Sequence, residues 1–355
     1  MLSRIQTIQA ALSSDAALLV KSGANRFYLT GFKSSDGFIL ISRERAKFFT
    51  DSRYIETARA AVRHLAVSLC TDTMAHIKDW LAAENITTLY VETGATTIRT
   101  LAALKKALDG VTVSEEDTLE RLIIDLRSVK STSELAAMKQ AQKLTDDTFA
   151  YITERIAAGR TERDVMLDME YYMRRLGSEG VAFDFVVVSG KNSSLPHGVP
   201  TDKVMEKGDF VTMDFGAVVN GYRADMTRTV AIGAASEEQR RVYDTVLAAQ
   251  TAALAAIRAG VVCKDVDKIA RDIIDTNGYK GCFGHALGHS VGIDVHETPS
   301  LSTRCDTVLK AGNVMTVEPG IYLEGKFGVR IEDMVVVTEN GYENFTKSPK
   351  ELLIL

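Results

Sequence analysis

KGDFVTMDFGAVVNGYRADMTRTV, residues 207–230, decides the reading of this chain because it carries two carboxylates, Asp214 and Asp225, either side of one predicted turn. Asn220-Gly221 is the dipeptide best suited to the two positive-φ positions of a two-residue hairpin loop. In the register set by that turn, Val219 faces Tyr222 and Asp214 faces Thr227. Side chains alternate along a strand, so Asp225, two residues from Thr227, shares a face with Asp214 as its diagonal neighbour, roughly 7 Å away at Cα. Such a gap suits carboxylates gripping two metal ions about 3.5–4 Å apart, whereas a bulge or a three-residue loop would send them to opposite faces.

The stretch has a second copy. GDFVTMDFG from Gly208 returns as GNVMTVEPG from Gly312, with Glu318 in place of Asp214, Thr316 matching Thr212 and Gly320 matching Gly216. VRIEDMVVV follows, and Glu332 falls in it much as Asp225 falls in the first copy. Upstream, IAAGRTERDV from Ile156 is echoed by IRAGVVCKDV from Ile257. Each half therefore reads as helix, helix, then a carboxylate-bearing strand pair, and a repeat of roughly a hundred residues predicts two similar units sending acids into one cleft. A lone acid in a strand-like run is ordinarily an exposed ladder position. Four in register between apolar runs are different, because each like-charge pair at about 4–6 Å repels by about 3–4 kcal/mol at an effective dielectric near 20. Together the pairs would exceed the net stability of an ordinary domain, about 5–15 kcal/mol. Either the acids are protonated or cations sit among them.

Composition bounds the alternatives. With 355 residues, 46% hydrophobic and 25% charged, the chain is long enough for two globular domains. A net charge of −5 and the lack of a basic stripe argue against nucleic acid as a partner. No run approaches eighteen apolar residues and MLSRIQTIQAALSS lacks a signal-peptide pattern, so neither a membrane span nor export is expected. Cys70, Cys263, Cys282 and Cys305 form no CxxC pair, which suits reduced thiols and a cytoplasmic location.

In chain order, a strand at AALLV from Ala16, a strand-turn-strand in GFILISRERAKFFTDSR, helices over Tyr54–Val62 and Met74–Glu84, the strand TLYVET and a helix over Thr97–Leu108 make an α/β domain, residues 1–125. An α+β domain is expected over residues 126–355. Ser131–Glu134 form a capping box that announces a helix to about Ala158, followed by a helix through Met173 and a strand in FDFVVVSG. KNSSLPHGVP is then an exposed turn with His197 at its apex. Helices over Glu237–Ile257 and Asp265–Asp275 precede HALGHSVGIDVHE, which holds His285, His289 and His296, three of the six histidines. Gly284, Gly288 and Gly292 argue for a strand or irregular segment there and allow close backbone approach. A lone histidine is more often a satisfied core residue, as His64 and His76 are expected to be surface or packing residues, but three beside convergent acids point to chemistry.

These residues resemble the pita-bread metallopeptidases, in the branch of Xaa-Pro aminopeptidase (aminopeptidase P) and prolidase (Xaa-Pro dipeptidase), over essentially the full chain. The resemblance implies a catalytic domain of two similar αβ halves behind a smaller creatinase-like N-terminal domain. By position it implies that Asp214, Asp225, His289, Glu318 and Glu332 hold two divalent ions. Asp214 would serve one ion, His289 and Glu318 the other, and Asp225 and Glu332 both. It implies substrate-side roles for His197, His285 and His296, a proton-handling role for Glu318, and a supporting role for Arg330, which alternation puts on the face of Glu332. The chain departs from the family's usual glycine after the first histidine of the motif, having Ala286. Oxygen-rich ligation with one imidazole favours Mn²⁺, with Co²⁺, Fe²⁺ or Zn²⁺ as alternatives. The implied reaction is attack of a metal-bridging hydroxide on the carbonyl before proline, in the peptide substrate of a homodimer. Phe183 and Val295 are candidates for an apolar wall against the proline ring. Three rival readings are a non-catalytic peptide- or partner-binding protein of this fold, a creatinase-like hydrolase and a methionine aminopeptidase-like enzyme.

Overall fold

The computed structural model describes residues 3–355, which form two compact units divided between Arg127 and Ser128. In the first unit a six-stranded sheet runs, in spatial order, Ala66–Leu69, Ala46–Thr50, Phe38–Ser42, Ala16–Val20, Thr88–Val91 and Thr112–Ser114. Helices Thr73–Ala83 and Ile98–Ala107 bury Ile77, Trp80, Leu81 and Leu104 against Leu19, Leu40 and Leu89 of that sheet. Two helices of this unit that the sequence reading passed over, Gly23–Thr30 and Thr118–Ser128, complete it.

The second unit repeats one pattern twice. Helices Thr132–Thr153 and Glu162–Arg175 lead to a three-stranded sheet ordered Met226–Ala231, Phe210–Phe215, Val186–Ser189. Helices Glu237–Ala256 and Cys263–Ile274 then lead to a five-stranded sheet ordered Glu297–Leu301, Gly288–Ser290, Val314–Val317, Asp333–Val337, Tyr342–Asn344. The capping box at Ser131 is made, its hydroxyl accepting from Glu134 N and the Glu134 side chain accepting from Ser131 N. That helix ends at Thr153 rather than near Ala158, where Arg155 N turns back to Ile152 O and Gly159 takes a φ of 96°.

The first hairpin has the expected register: Val219 pairs with Tyr222 and Asp214 with Thr227. Asn220 and Gly221 supply the turn with φ of 48° and 79°. Its strands are not continuous, however. The ribbon bends between Phe210–Phe215 and Val218–Val219, and Asp225 lies one residue before the strand Met226–Ala231 rather than in the strand of Thr227. Pairing survives the bend, because Ala224 N donates to Ala217 O at 2.9 Å. Glycine makes this possible: a Cβ on Gly216 would lie 1.8 Å from Ala224 O.

The second ribbon bends likewise. Val314–Val317 pairs with Asp333–Val337, and Gly320–Leu323 with Phe327–Arg330, so VRIEDMVVV is two strands with Glu332 just outside the second. Pro319, which has no N–H to give a ladder, marks the break. Both ribbons thus deliver an acid from the residue immediately before a strand. They meet where Glu332 N donates to Thr227 O at 3.1 Å, and where the Thr229 hydroxyl donates to Arg330 O and accepts from Arg330 N.

Gly216→Ala should therefore force the first ribbon open. Overpacking of this kind costs about 1–3 kcal/mol, and the displaced Asp225 should bind metal more weakly. A Gly216→Ala protein with unchanged Tm and unchanged metal stoichiometry would contradict this account of the bend.

Candidate metal centre

Three side chains from three separate segments converge most closely: Asp225, His289 and Glu332 each offer a ligand atom, and all of these lie within 4.8 Å of one another. His289 Nε2 is 3.6 Å from Asp225 Oδ2 and 3.3 Å from Glu318 Oε1. Asp225 and Glu332 are buried at 4% and 1% exposure. Asp214 is held by Arg330, its Oδ2 accepting at 2.7 Å while its Oδ1 is buried with no hydrogen-bond partner. An orphaned carboxylate oxygen beside three further acids is the geometry expected where a cation completes the set.

The electrostatics agree. Burial, then the charges of Glu332, Asp214 and Glu318, hold Asp225 well above the usual carboxylate range. Burial, then Glu318 and Asp214, do the same to Glu332. Asp214 is raised by burial despite Arg330. Burial works against ionised Glu318 too, but the hydrogen bond and charge of His289 outweigh it and bring Glu318 down to about 2. In the metal-free protein the cluster thus keeps protons on Asp225 and Glu332 and pairs Glu318 with imidazolium, whose pKa rises through that pairing despite burial.

The placement of His289 suits a ligand. Its Nδ1 faces Ser290 O at 3.2 Å, so a proton there donates to the carbonyl and leaves Nε2, which shares its proton with Glu318 in the metal-free protein, as the atom facing the acids. Thr316 completes the placement, accepting from His289 N at 3.0 Å and donating to Glu318 Oε1 at 3.2 Å. Gly288 lets the His289 strand close onto this segment, since a Cβ there would sit 2.0 Å from Thr316 O.

Arg330, at 3% exposure, ties the surrounding groups together. It donates through Nε to Thr227 Oγ1 at 3.0 Å, and Thr227 in turn donates to Glu332 Oε2 at 2.7 Å. Its remaining N–H groups reach Tyr322 OH at 2.8 Å and Pro196 O at 3.1 Å, fixing the turn that presents His197. Tyr322 OH lies 2.9 Å from His285 Nε2, while His285 Nδ1 faces Ala286 O at 2.8 Å. Nδ1 therefore carries the proton, and Tyr322 donates to Nε2. Burial lowers the pKa of His285, and partial desolvation followed by the charge of His289 lowers that of the more open His296, so each imidazole is neutral at pH 7. His197 and His296 are exposed, and the His296 ring meets the His289 ring edge-on, with centroids 4.4 Å apart. Phe183 and Val295 are half-buried, on segments joined by Arg223, which donates to Ala182 O and Ile293 O.

Two participants escaped the sequence reading. The hairpin register puts Thr227 opposite Asp214 but implies no task for it. Tyr322 had a signal in GIYLEGKFG: Gly320 and Gly328 clear the space its ring fills, a Cβ on either coming within 2.8 Å of it.

Comparison with known proteins gives the same direction. The model for metallopeptidase family M24 matches residues 136–339, and that for the creatinase/prolidase N-terminal domain matches residues 1–129. An uncharacterized peptidase of Bacillus subtilis is 40% identical over 100% of this chain and 99% of its own. The structure of an Xaa-Pro dipeptidase from Bacillus anthracis superposes with a TM-score of 0.94 at 38% identity, covering 99% of both chains. That of an X-Pro aminopeptidase from Thermotoga maritima gives 0.90 at 37%, over 98% of this chain and 100% of that one.

Because Asp225 and Glu332 titrate above their unfolded values, the metal-free fold binds protons that the unfolded chain releases. Their stabilisation is present below the ordinary carboxylate range and is lost as pH rises through the raised values. Metal-free protein should accordingly lose Tm over the window above the ordinary carboxylate range, and Mn²⁺ should cancel the loss. A metal-free Tm that climbs across this window would overturn the assignment of the protons.

Proposed function

The chain belongs to metallopeptidase family M24, and on that premise we propose that it is a dinuclear-metal peptidase hydrolysing the Xaa-Pro bond at the N-terminus of peptides or in Xaa-Pro dipeptides. The observation that carries this reading is the buried meeting of Asp225, His289 and Glu332 within 4.8 Å, with Glu318 beside His289. Asp214, Asp225, His289, Glu318 and Glu332 would hold two divalent ions, Mn²⁺ by preference, since four carboxylates and one imidazole make a hard donor set. When bound, the ions supply the Lewis acidity that makes water nucleophilic at neutral pH.

The chain's own groups do the rest. Glu318 takes the proton of the attacking water on its carboxylate and returns it to the proline nitrogen. His296 and His197, both exposed, donate to the scissile carbonyl oxygen as charge develops on it. His285, through Tyr322, and Arg330, through Asp214 and Thr227, keep that shell in register. A proline nitrogen has no N–H, so the site needs no acceptor there, and Phe183 and Val295 offer the ring an apolar wall. The same reading includes a homodimer acting in the cytoplasm, the latter supported by four free cysteines; among the described residues no helix is long and apolar enough to cross a membrane.

The purified protein with Mn²⁺ should cleave Ala-Pro or Ala-Pro-Ala, with the ratio of the two rates fixing dipeptidase against aminopeptidase, and should cut Met-Ala-Ser more slowly. Faster cleavage of Met-Ala-Ser, or creatine hydrolysis indifferent to chelator, would sink the proposal. His289→Ala should lose metal and activity together, whereas His296→Ala should keep its metal and lose kcat by roughly 10²–10⁴-fold.

A further inference from the structure

The proposed role of His296 raises the question of what holds it. Among the described residues no hydrogen bond reaches its ring, and its one ring contact is with His289. Its position is therefore set by the backbone of residues 291–297. That loop is wrapped around a carboxylate. Glu297 Oε1 accepts from Ile293 N at 3.0 Å and Asp294 N at 3.2 Å, and Oε2 accepts from Lys130 Nζ at 3.2 Å. The Lys130 and Glu297 side chains are 1% and 7% exposed. Lys130 also donates to Ser290 Oγ at 3.0 Å, beside the His289 whose Nδ1 faces Ser290 O. A Cβ on Gly292 would fall 2.6 Å from Glu297 Oε2, so the bare glycine leaves room for the carboxylate in this position. From the other side Arg223 donates through N to Gly292 O at 2.9 Å and through Nε to Ile293 O at 2.8 Å.

One buried ion pair therefore links the strand carrying His289 to the loop carrying His296. We infer that Glu297 is a positioning residue for the reaction: held by Lys130, it gathers the amides of the preceding loop and sets the His296 ring against His289. The inference rests on the proposed function for the claim that His296 meets substrate. Its geometric part stands alone. Removing the carboxylate frees two amides and the loop, and leaves Lys130 a buried charge without this partner.

The test is a double-mutant cycle on the Mn²⁺-loaded protein with Ala-Pro. Glu297→Ala should lower kcat by roughly 10–100-fold, with KM and metal stoichiometry near those of the parent. In a His296→Ala background the same substitution should change kcat by less than about twofold, because its effect passes through His296. Glu297→Gln keeps an oxygen acceptor for both amides and should recover most of kcat. An equal loss in both backgrounds, or loss of metal, would assign Glu297 to the scaffold and overturn the inference. A second readout does not depend on turnover. In Zn²⁺-loaded protein with ¹³C-labelled histidine, the ring signal of His296, identified by its absence from His296→Ala, should shift or broaden in Glu297→Ala and return in Glu297→Gln. An unmoved signal would refute the positioning role, whereas failure of the parent protein to cut Ala-Pro would remove only the proposed function.

Discussion

Holding carboxylates from two halves of one chain together, out of water, is the constraint on which the rest of this structure depends. Every feature of the cluster answers their mutual repulsion. Protons settle on Asp225 and Glu332 when no ion is present, and Glu318 is paired with His289. Asp214 is paired with Arg330, which spends its other donors on Thr227, Tyr322 and Pro196. Arginine suits that place because its planar fork addresses several acceptors at fixed angles, which a lysine ammonium does not.

The scaffold under the cluster is built to resist the same force. Arg228, directly after Thr227, is 1% exposed and donates to Thr227 O, Glu332 O, Asp333 Oδ1, Ser348 O and Pro349 O. Asp333, directly after Glu332, is fully buried between Arg228 and Lys350, whose charges keep its carboxyl below the usual range despite burial. The residues that follow Thr227 and Glu332 thus make a buried ion pair that staples the two ribbons just behind the acids. Breaking one partner of such a pair costs far more than the intact pair contributes, so it acts as a register pin.

Much of this was legible in the sequence, and the limits are physical. The Asn220-Gly221 turn carried enough conformational information to place Asp214 opposite Thr227, because a two-residue hairpin leaves one register. The repeat of that stretch around Glu318 disclosed the second ribbon. What could not be read was the bend in each, since alternation continues through Ala217 and Ala224 while the strands themselves break. Only Gly216 and Pro319 hinted at it. Thr227 was equally silent, for a hydroxyl acquires its task from neighbours brought in by the other half, and Tyr322 was marked only by the glycines that clear its ring. In the first unit the helix Gly23–Thr30 went unread because it is short and its start depends on Ser22 accepting from Asn25 N.

The reach of Arg228 to Ser348 and Pro349 has a bearing on how the molecule comes into being. Ribosomes release a chain from its beginning, so Asp214 and Asp225 emerge more than a hundred residues ahead of the carbonyls that anchor the arginine behind them. Until those late residues join the fold, the first ribbon stands without the carbonyls that hold Arg228. The staple behind the acids is in consequence a late acquisition of the fold, drawn from residues far downstream of the carboxylates it braces.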